Sequence, residues 1–157
     1  MQDDTFFPCA SGRLKLRSFP DGSGVLIFYR RANAKGPKES FYEISPTTTP
    51  DALRATLTLA YGQSGRVRKH RTLFTIGRTR VHLDSVEGLG DFLELEVVLD
   101  DDDTLADGEQ EARAVMDKLG VLPWQCVEEA YVDLLEQAAA QVAQGQHVPP
   151  PAGMQVA

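Results

Sequence analysis

Charged and apolar side chains alternate on both sides of a glycine-rich turn in the segment 80–98. Successive side chains of a β-strand point to opposite faces, so Leu93 and Leu95 share one face of the predicted second strand. Glu94 and Glu96 share the opposite face. On the strand before the turn, the polar side consists of Arg80, His82 and Asp84. Two neighbouring strands that carry charges on one face predict either a solvated sheet surface or half of a metal and anion site.

Four earlier segments show a similar alternation and add mostly basic side chains. Their polar sides comprise Arg13, Lys15 and Arg17, then Arg31 with Val25, Ile27 and Tyr29, then Lys38, and finally Lys69 and Arg71. An open sheet would expose this face to water. A curled sheet would enclose it, and the cations and carboxylates would then have to neutralise each other or a ligand. The pattern alone leaves both arrangements open.

The periodicity of the whole chain predicts an α+β domain of mainly antiparallel strands with three helices. The predicted strands cover 13–18, 25–31, 38–44, 66–76, 79–87 and 91–99. The predicted helices run from Pro50 to Gly62, from 108 to 119, and onward from Pro123. Trp124 and Tyr131 are expected in the core. Residues 1–143 are interpreted as one domain, and 144–157, rich in Gln, Gly and Pro, as a disordered tail.

The formal net charge of −7 conceals a strong asymmetry along the chain. Residues 13–80 contain 14 Lys and Arg against 4 Asp and Glu, whereas residues 81–157 contain 2 against 17. A net acidic chain is a poor non-specific ligand for duplex nucleic acid, because phosphate neutralisation drives that affinity. The expected partner is therefore a small, highly charged anion.

Features that the sequence lacks narrow the class of protein. No apolar run approaches the roughly 20 residues that a membrane-spanning helix needs, and the N-terminus does not resemble a signal peptide. Cys9 and Cys126 lie far apart, without C-x-x-C spacing. We therefore expect a cytoplasmic protein without a membrane partner. The sequence also has no P-loop, nucleophile elbow or zincin motif.

Polyphosphate chemistry needs two kinds of side chain that this pattern supplies. Guanidinium and ammonium groups grip phosphate oxygens, and carboxylates hold Mg²⁺ or Mn²⁺. Asp84, Glu94 and Glu96 are hard oxygen donors on neighbouring predicted strands. A solvated charged surface is the alternative for each of these residues taken singly. His82 is expected to be a bystander rather than a catalytic group.

Five segments, taken in order, resemble the CYTH family, which contains class IV adenylyl cyclases, thiamine triphosphatases and related triphosphate tunnel enzymes. The segments are 12–17 (GRLKLR), 26–31 (LIFYRR), 36–40 (GPKES), 67–71 (VRKHR) and 80–96 (RVHLDSVEGLGDFLELE). The class IV cyclase-like branch is the most similar, and the predicted helix at 130–135 also resembles its C-terminal end.

The resemblance implies an antiparallel triphosphate-tunnel β-barrel, closed or nearly closed, with charged side chains pointing inward. The residues that it implies in triphosphate binding are Lys15, Arg17, Arg31, Lys38, Lys69, Arg71 and Arg80. It implies Mg²⁺ or Mn²⁺ at Asp84, Glu94 and Glu96. The implied substrates are ATP, thiamine triphosphate or tripolyphosphate. The implied reactions are hydrolysis by water and cyclisation by the ribose 3′-hydroxyl.

One family feature is not found at the start of this sequence. The family opens with a strand carrying E-x-E-x-K and then a helix, ahead of the part that residues 4–7 resemble. Without that strand we expect a sheet edge to be unpaired. Three explanations stay open: a start codon placed too late, a strand supplied by a partner chain, or a binding protein with impaired catalysis. An interaction module, or a homo-oligomer formed through the bare edge, is a further alternative.

Overall fold

A computed structural model describes residues 1–31, 40–127, 129–144 and 155–156. The strands are β1 (Gln2–Phe7), β2 (Arg13–Ser18), β3 (Gly24–Arg31), β4 (Ser40–Thr47), β5 (Gly65–Ile76), β6 (Thr79–Val86), β7 (Gly90–Val97) and β8 (Gln155–Val156). The helices are α1 (Pro50–Tyr61), α2 (Leu105–Leu119) and α3 (Tyr131–Ala143), and a single 3-10 turn spans Pro123–Gln125. The sheet order is β4-β3-β2-β1-β5-β6-β7-β8.

The first seven strands form an antiparallel sheet that curls into a half-barrel, which confirms the predicted α+β fold class. Of the two arrangements left open by the pattern, the curled one is found. Strand register places the predicted polar sides on a single surface, which we call the inner face. It carries Asp4, Lys15, Arg17, Lys69, Arg71, His82, Asp84, Glu94 and Glu96. Within the described residues, β4 lies at one edge, and β7 pairs at the other edge only with the two residues of β8.

Residues 2–7 form a strand that the sequence pattern did not predict. β1 lies in the middle of the sheet, between β2 and β5, with Asp4 opposite Arg17 on one side and Val67 on the other. Its three consecutive residues Thr5, Phe6 and Phe7 hide the alternation, because both faces of a central strand are covered. All three are buried.

Helices α1 and α2 cover the outer face of the sheet. Arg54 of α1 donates to Thr5 Oγ1 at 3.0 Å and to Ser18 Oγ at 2.6 Å, which docks the helix on β1 and β2. Val115 of α2 packs with Val81 and Leu93 in a buried cluster. These contacts bury the apolar outer sides of the strands, and the charged sides face inward.

Helix α3 lies on the inner face, at one end of the half-barrel. Ala130 and Val132 pack in a buried cluster with the inward side chains Phe6, Val67 and Phe92. Gly65 at the start of β5 permits this close approach because it has no side chain. A Cβ at this position would lie only 2.4 Å from Val132 Cγ2. The apolar end of the inner face is thus closed by α3, and the charged part lies beyond it.

The C-terminal helices differ from their predicted form in two respects. The prediction of a continuous helix from Pro123 is wrong. A single 3-10 turn forms there and is followed by Cys126, whose backbone is extended. Trp124 on that turn is 76% exposed, so its predicted core position is also wrong. In the other helix region, α2 begins at Leu105, because Thr104 and Asp107 form a reciprocal capping box. The predicted boundary at 143 and the disorder of 144–157 stay predictions.

The close approach of α3 to β5 can be tested by a single methyl group. We expect Gly65→Ala to lower the free energy of unfolding by about 1–3 kcal/mol, because the new Cβ overlaps a buried β-branched side chain. Denaturant unfolding measures this loss. Combining Gly65→Ala with Val132→Ala should cost less than the sum of the single changes, and strict additivity would contradict the contact.

Candidate functional site

A buried aspartate on β6 holds two cations of β5 together. Asp84 accepts from Lys69 Nζ at 2.7 Å and from Arg71 Nε and Nη2 at 2.7 and 2.6 Å. Register explains the group, since Arg71 lies directly opposite Asp84 and Lys69 is two residues along the same strand. The Asp84 side chain has no exposed surface, and that of Lys69 is 5% exposed. We call Asp84, Lys69 and Arg71 the Asp84 cluster.

The same arrangement recurs two strands away. Asp4 of β1 accepts from Lys15 Nζ at 2.8 Å and from Arg17 Nε and Nη2, both at 2.7 Å. The Asp4 side chain is 3% exposed. We call Asp4, Lys15 and Arg17 the Asp4 cluster. Each cluster therefore combines a K-x-R pair on one strand with an aspartate on the next.

Charge alternates across four adjacent strands as a result. Within the two clusters, taken in sheet order, β2 contributes cations, β1 a carboxylate, β5 cations and β6 a carboxylate. Each cluster contains two cations and one carboxylate, so it keeps one unit of positive charge. Glu94 of β7 cancels this unit in the Asp84 cluster, because Arg71 Nη2 also donates to Glu94 Oε2. The Asp4 cluster keeps its positive unit, so the paired charges of the inner face leave a positive remainder beside β1 and β2.

Burial and ion pairing act against each other on the titrating groups. Burial would raise the pKa of Asp84, but Arg71 and Lys69 outweigh it and lower that pKa to about 2. Lys15 and Arg17 likewise outweigh burial at Asp4 and lower its pKa. Burial lowers the pKa of Lys69 to about 8, against the attraction of Glu94 and Asp84. At neutral pH both aspartates are ionised and Lys69 keeps its proton by a small margin.

Helix α3 contributes directly to the Asp84 cluster. The Tyr131 hydroxyl donates to Asp84 Oδ2 at 3.1 Å, and its ring centroid lies 4.8 Å from Lys69 Nζ. The same ring packs against Phe92 with centroids 4.8 Å apart. Burial raises the pKa of Tyr131, so the hydroxyl stays protonated and acts as a donor. Tyr131, predicted as a core residue, is therefore also part of the site.

A second contact fastens α3 to the basic part of the sheet. Arg13 of β2 donates to both carboxylate oxygens of Asp133, at 2.9 and 2.5 Å. Arg13 was grouped with Lys15 and Arg17 by the alternation of β2, but its fork binds the helix. The geometry therefore separates Arg13 from the two cations that meet Asp4.

Two polar atoms are buried without a hydrogen-bond partner among the described residues, Gln2 Oε1 and His82 Nδ1. Both side chains belong to inward positions, on β1 and β6. Burial lowers the pKa of His82, which favours the neutral imidazole. Its Nε2 lies 3.9 Å from Glu96 Oε2. Buried polar groups are normally satisfied, so these two atoms mark places where a ligand or water can bind.

The other predicted triphosphate ligands are less fully placed. Arg80 lies on β6 and belongs to the inner face. It pairs with Glu96 at 3.3 Å, and 46% of its side chain is exposed. The backbone of Arg31 pairs with Ser40 at the end of β3, but its side chain is outside the description. Lys38 lies outside the described residues. The structure thus brings Lys15, Arg17, Lys69 and Arg71 together in two clusters, with Arg80 at their margin.

Divalent metal fits only part of the predicted ligand set. Within the described ranges, no group of three or more His, Cys, Asp or Glu side chains is arranged to hold a metal ion. Both oxygens of Asp84 are bound by Lys69 and Arg71, so its contacts do not fit the metal-ligand role implied by the resemblance. Mg²⁺ is commonly held by one or two carboxylates together with substrate phosphates. Glu94 and Glu96 fit that simpler arrangement.

Sequence reasoning missed two residues that complete the site and the polar role of a third. Asp4 lies on β1, the strand that was not predicted, and the signal that could have found it was its two-residue spacing from Gln2 and Phe6, which share the inner face. Asp133 was missed because nothing in the pattern shows that α3 docks on the inner face. Tyr131 was found, but only as an apolar contact. Each of the three depends on neighbours distant in sequence.

The half-barrel and its paired charges define an α+β protein whose curled sheet presents an inner face built from paired cations and carboxylates. A model of the CYTH domain matches residues 1–131. The chain belongs to the CYTH family, which confirms the resemblance.

Similar proteins agree with this assignment. Adenylate cyclase CyaB of Aeromonas hydrophila is 33% identical over 105 residues, a match that covers 66% of this chain and 55% of that relative. The chain therefore matches about half the length of this relative. The PH1012 protein of Pyrococcus horikoshii OT3 has a similar fold, with a TM-score of 0.75, 23% identity, and coverage of 85% of this chain and 80% of that one. A conserved hypothetical protein of Pyrococcus furiosus also has a similar fold, with a TM-score of 0.72, 18% identity, and coverage of 85% of this chain and 81% of that one.

None of the described helices has the length and apolar character that crossing a membrane requires.

The ion pairs of Asp84 predict a defined response to acid. Because the folded pKa of about 2 lies below the reference value of 3.8, the carboxylate stabilises the fold above about pH 4 and loses this effect as pH falls toward 2. We expect Asp84→Asn to destabilise the protein by about 3 kcal/mol at pH 7, because the buried Lys69 loses the carboxylate it binds and Arg71 keeps only its pair with Glu94. Unfolding measured from pH 7 to 2 should show a smaller acid-dependent loss in the variant.

Asp91→Asn is the matched control for this measurement. Asp91 is an exposed aspartate at the start of β7, so its substitution should leave both the stability at pH 7 and the acid profile nearly unchanged. Equal behaviour of the two variants would contradict the role assigned to Asp84.

Proposed function

We propose that the inner face binds the phosphate chain of a triphosphate and that the protein processes this triphosphate. The observation that carries the proposal is the repeated cluster, in which two K-x-R pairs lie on strands separated only by β1. A linear polyanion laid across these strands would meet both pairs. Membership of the CYTH family supports the same conclusion.

The aspartates prepare the cations for an anionic ligand. Short ion pairs to the aspartates fix the side chains of Lys15, Arg17, Lys69 and Arg71. Fixed side chains lose less conformational freedom on binding, so more of the interaction energy appears as affinity. Arginine forks can bind phosphate oxygens in pairs, and lysines act as point charges. The residual positive charge of the Asp4 cluster attracts the anion.

The same cations suit phosphoryl transfer. Negative charge on the phosphoryl oxygens is stabilised in the transition state by preorganised donors that need no rearrangement. Bound Mg²⁺ would supply further charge neutralisation, with Glu94 and Glu96 as the residues that hold it beside the phosphates. We propose one of two reactions. In hydrolysis, water attacks a phosphorus of the chain and phosphate or pyrophosphate leaves; in cyclisation, the ribose 3′-hydroxyl attacks the α-phosphorus and pyrophosphate leaves.

A non-catalytic triphosphate-binding protein is the second candidate. The observation that favours it is the arrangement of the acidic groups. Asp84 is committed to cations, and the described residues contain no three-ligand metal group. Binding would use the same clusters in both candidates, so they differ in turnover and not in the site.

Removing one inner-face cation should weaken triphosphate binding. We expect Lys69→Gln to reduce the affinity for tripolyphosphate by about tenfold or more, because a charge-assisted contact to phosphate is lost. Isothermal titration calorimetry at fixed salt measures the affinity. The matched control is Arg68→Gln, which removes a cation from the outer face of the same strand. Equal loss in both variants would indicate a non-specific charge effect.

Turnover separates the enzyme from the binding protein. We expect purified protein with Mg²⁺ or Mn²⁺ to release phosphate, pyrophosphate or a cyclic nucleotide from a triphosphate. The double substitution Glu94→Gln with Glu96→Gln should abolish this turnover while leaving metal-free tripolyphosphate affinity intact. If the wild type binds a triphosphate tightly but forms no product with any divalent metal, the result would support the non-catalytic binding protein instead.

A further inference from the structure

Three consecutive side chains in the first turn of α3 contact three different strands of the sheet. Tyr131 donates at 3.1 Å to the aspartate of the Asp84 cluster on β6. Val132 packs against the glycine at the start of β5. Asp133 accepts from both terminal nitrogens of Arg13 on β2, at 2.9 and 2.5 Å. We call these three residues of α3 the brace.

Helical geometry explains how one turn reaches both sides of the half-barrel. Successive residues of a helix are rotated by about 100°, so Tyr131 and Asp133 point to nearly opposite sides of the helix axis. Val132 lies between them and points at the sheet. The strands that the three residues contact follow the sheet order, from β2 through β5 to β6. The helix end therefore lies across the concave side and binds it at both ends.

The sheet depends on such a contact for its curvature. In a closed barrel, the number and stagger of the strands fix the diameter. Among the described residues the sheet does not close on itself, since β4 lies at one edge and β7 meets only β8 at the other. The separation of β2 and β6 across the concave side is therefore set by what binds both of them.

We infer that the brace fixes the spacing of the Asp4 and Asp84 clusters, and that Arg13 and Asp133 are positioning residues for the triphosphate. This inference rests on the proposed function, in which one phosphate chain meets both K-x-R pairs. Neither residue has to touch the ligand. A chain bound by both clusters depends on the distance between them, whereas an anion bound by one cluster does not.

Both ends of the brace are contacts that specify geometry. The Arg13 and Asp133 side chains are 26% and 28% exposed and form a bidentate pair, which fixes orientation as well as distance. At the other end, the Tyr131 hydroxyl meets a carboxylate without exposed surface. The same ring packs on Phe92, so the tyrosine cannot swing away from β6 without losing apolar contact.

Neutralising Asp133 separates the brace from a simple effect of charge. Asp133→Asn removes a negative charge beside the basic strand β2, so electrostatics alone predicts tighter binding of an anion. The brace predicts weaker binding, because β2 is no longer held to α3 by the ion pair. Asparagine keeps an oxygen that can accept from the Ala130 N–H, as Asp133 does at 3.3 Å, so the helix cap is retained.

The test compares tripolyphosphate and orthophosphate in three proteins. Affinities are measured by calorimetry without added metal, with orthophosphate as a competitor, for the wild type, Asp133→Asn and Asp3→Asn. Asp3 is the matched control, since it forms the same bidentate pair with Arg66 on the outer face, at 2.8 and 2.6 Å. We expect Asp133→Asn to weaken tripolyphosphate binding about fivefold and orthophosphate binding less than about twofold, and Asp3→Asn to change both by less than about twofold.

A second pair of variants breaks the same contact from the sheet side. Arg13→Gln should reproduce the loss in tripolyphosphate affinity should Asp133→Asn not fold. Its matched control is Arg66→Gln, which removes an arginine of equal charge from a bidentate pair on the outer face. Equal losses in these two variants would indicate a charge effect and overturn the inference.

The separation of the strands gives a readout that needs no ligand. Spin labels at Ala10→Cys and Glu87→Cys lie in exposed turns, before β2 and after β6, and pulsed electron paramagnetic resonance measures the distance between them. Cys9 and Cys126 are replaced by serine in this background. We expect Asp133→Asn to lengthen or broaden the distance distribution relative to the labelled parent.

Failure of the brace and failure of the site give different results. If Asp133→Asn binds tripolyphosphate as tightly as the wild type or more tightly, if both phosphates lose affinity equally, or if the label distance is unchanged, the inference is overturned and the proposed site stands. If the wild type does not bind tripolyphosphate, the proposed function falls and the positioning role falls with it.

Discussion

Buried carboxylates paired with two cations each are the constraint on which the inner face depends. Asp84 and Asp4 have almost no exposed surface, and an ionised carboxylate in such a place is costly unless it is paired and hydrogen-bonded. Their partners come from the adjacent strand at the required register. A slip of one residue would turn every side chain of a strand to the other face, so the clusters also fix the pairing of β1 with β2 and of β5 with β6.

Much of the inner face could be predicted because strand periodicity is a local signal. The alternation of 80–98 and of 66–76 was enough to place Arg71, Asp84 and Glu94 on one surface, and the order of the family segments indicated a curled sheet. Periodicity does not show which strands are neighbours. The pairing of Asp84 with Lys69 and Arg71 could therefore not be read from spacing. Strand β1 was not predicted for a different reason: a central strand is covered on both faces, so its sequence shows no alternation.

The inner face combines two surfaces of different chemistry, and the sheet order explains their separation. The cations and carboxylates of the clusters and their neighbours lie on β2, β1, β5, β6 and β7. In contrast, β3 and β4 contribute mostly apolar inward residues next to one edge of the sheet. Helix α3 closes the third side, through Tyr131 at the Asp84 cluster and Asp133 at Arg13.

The position of α3 in the chain also sets the order in which the protein can be made. Arg13 and Asp133 are 120 residues apart, so their contact waits until nearly the whole described chain has left the ribosome. Until then the Asp84 cluster lacks the hydroxyl of Tyr131, and Phe6, Val67 and Phe92 lack the apolar cover of the helix. The inner face is therefore completed by one of the last segments of the described chain to be synthesised.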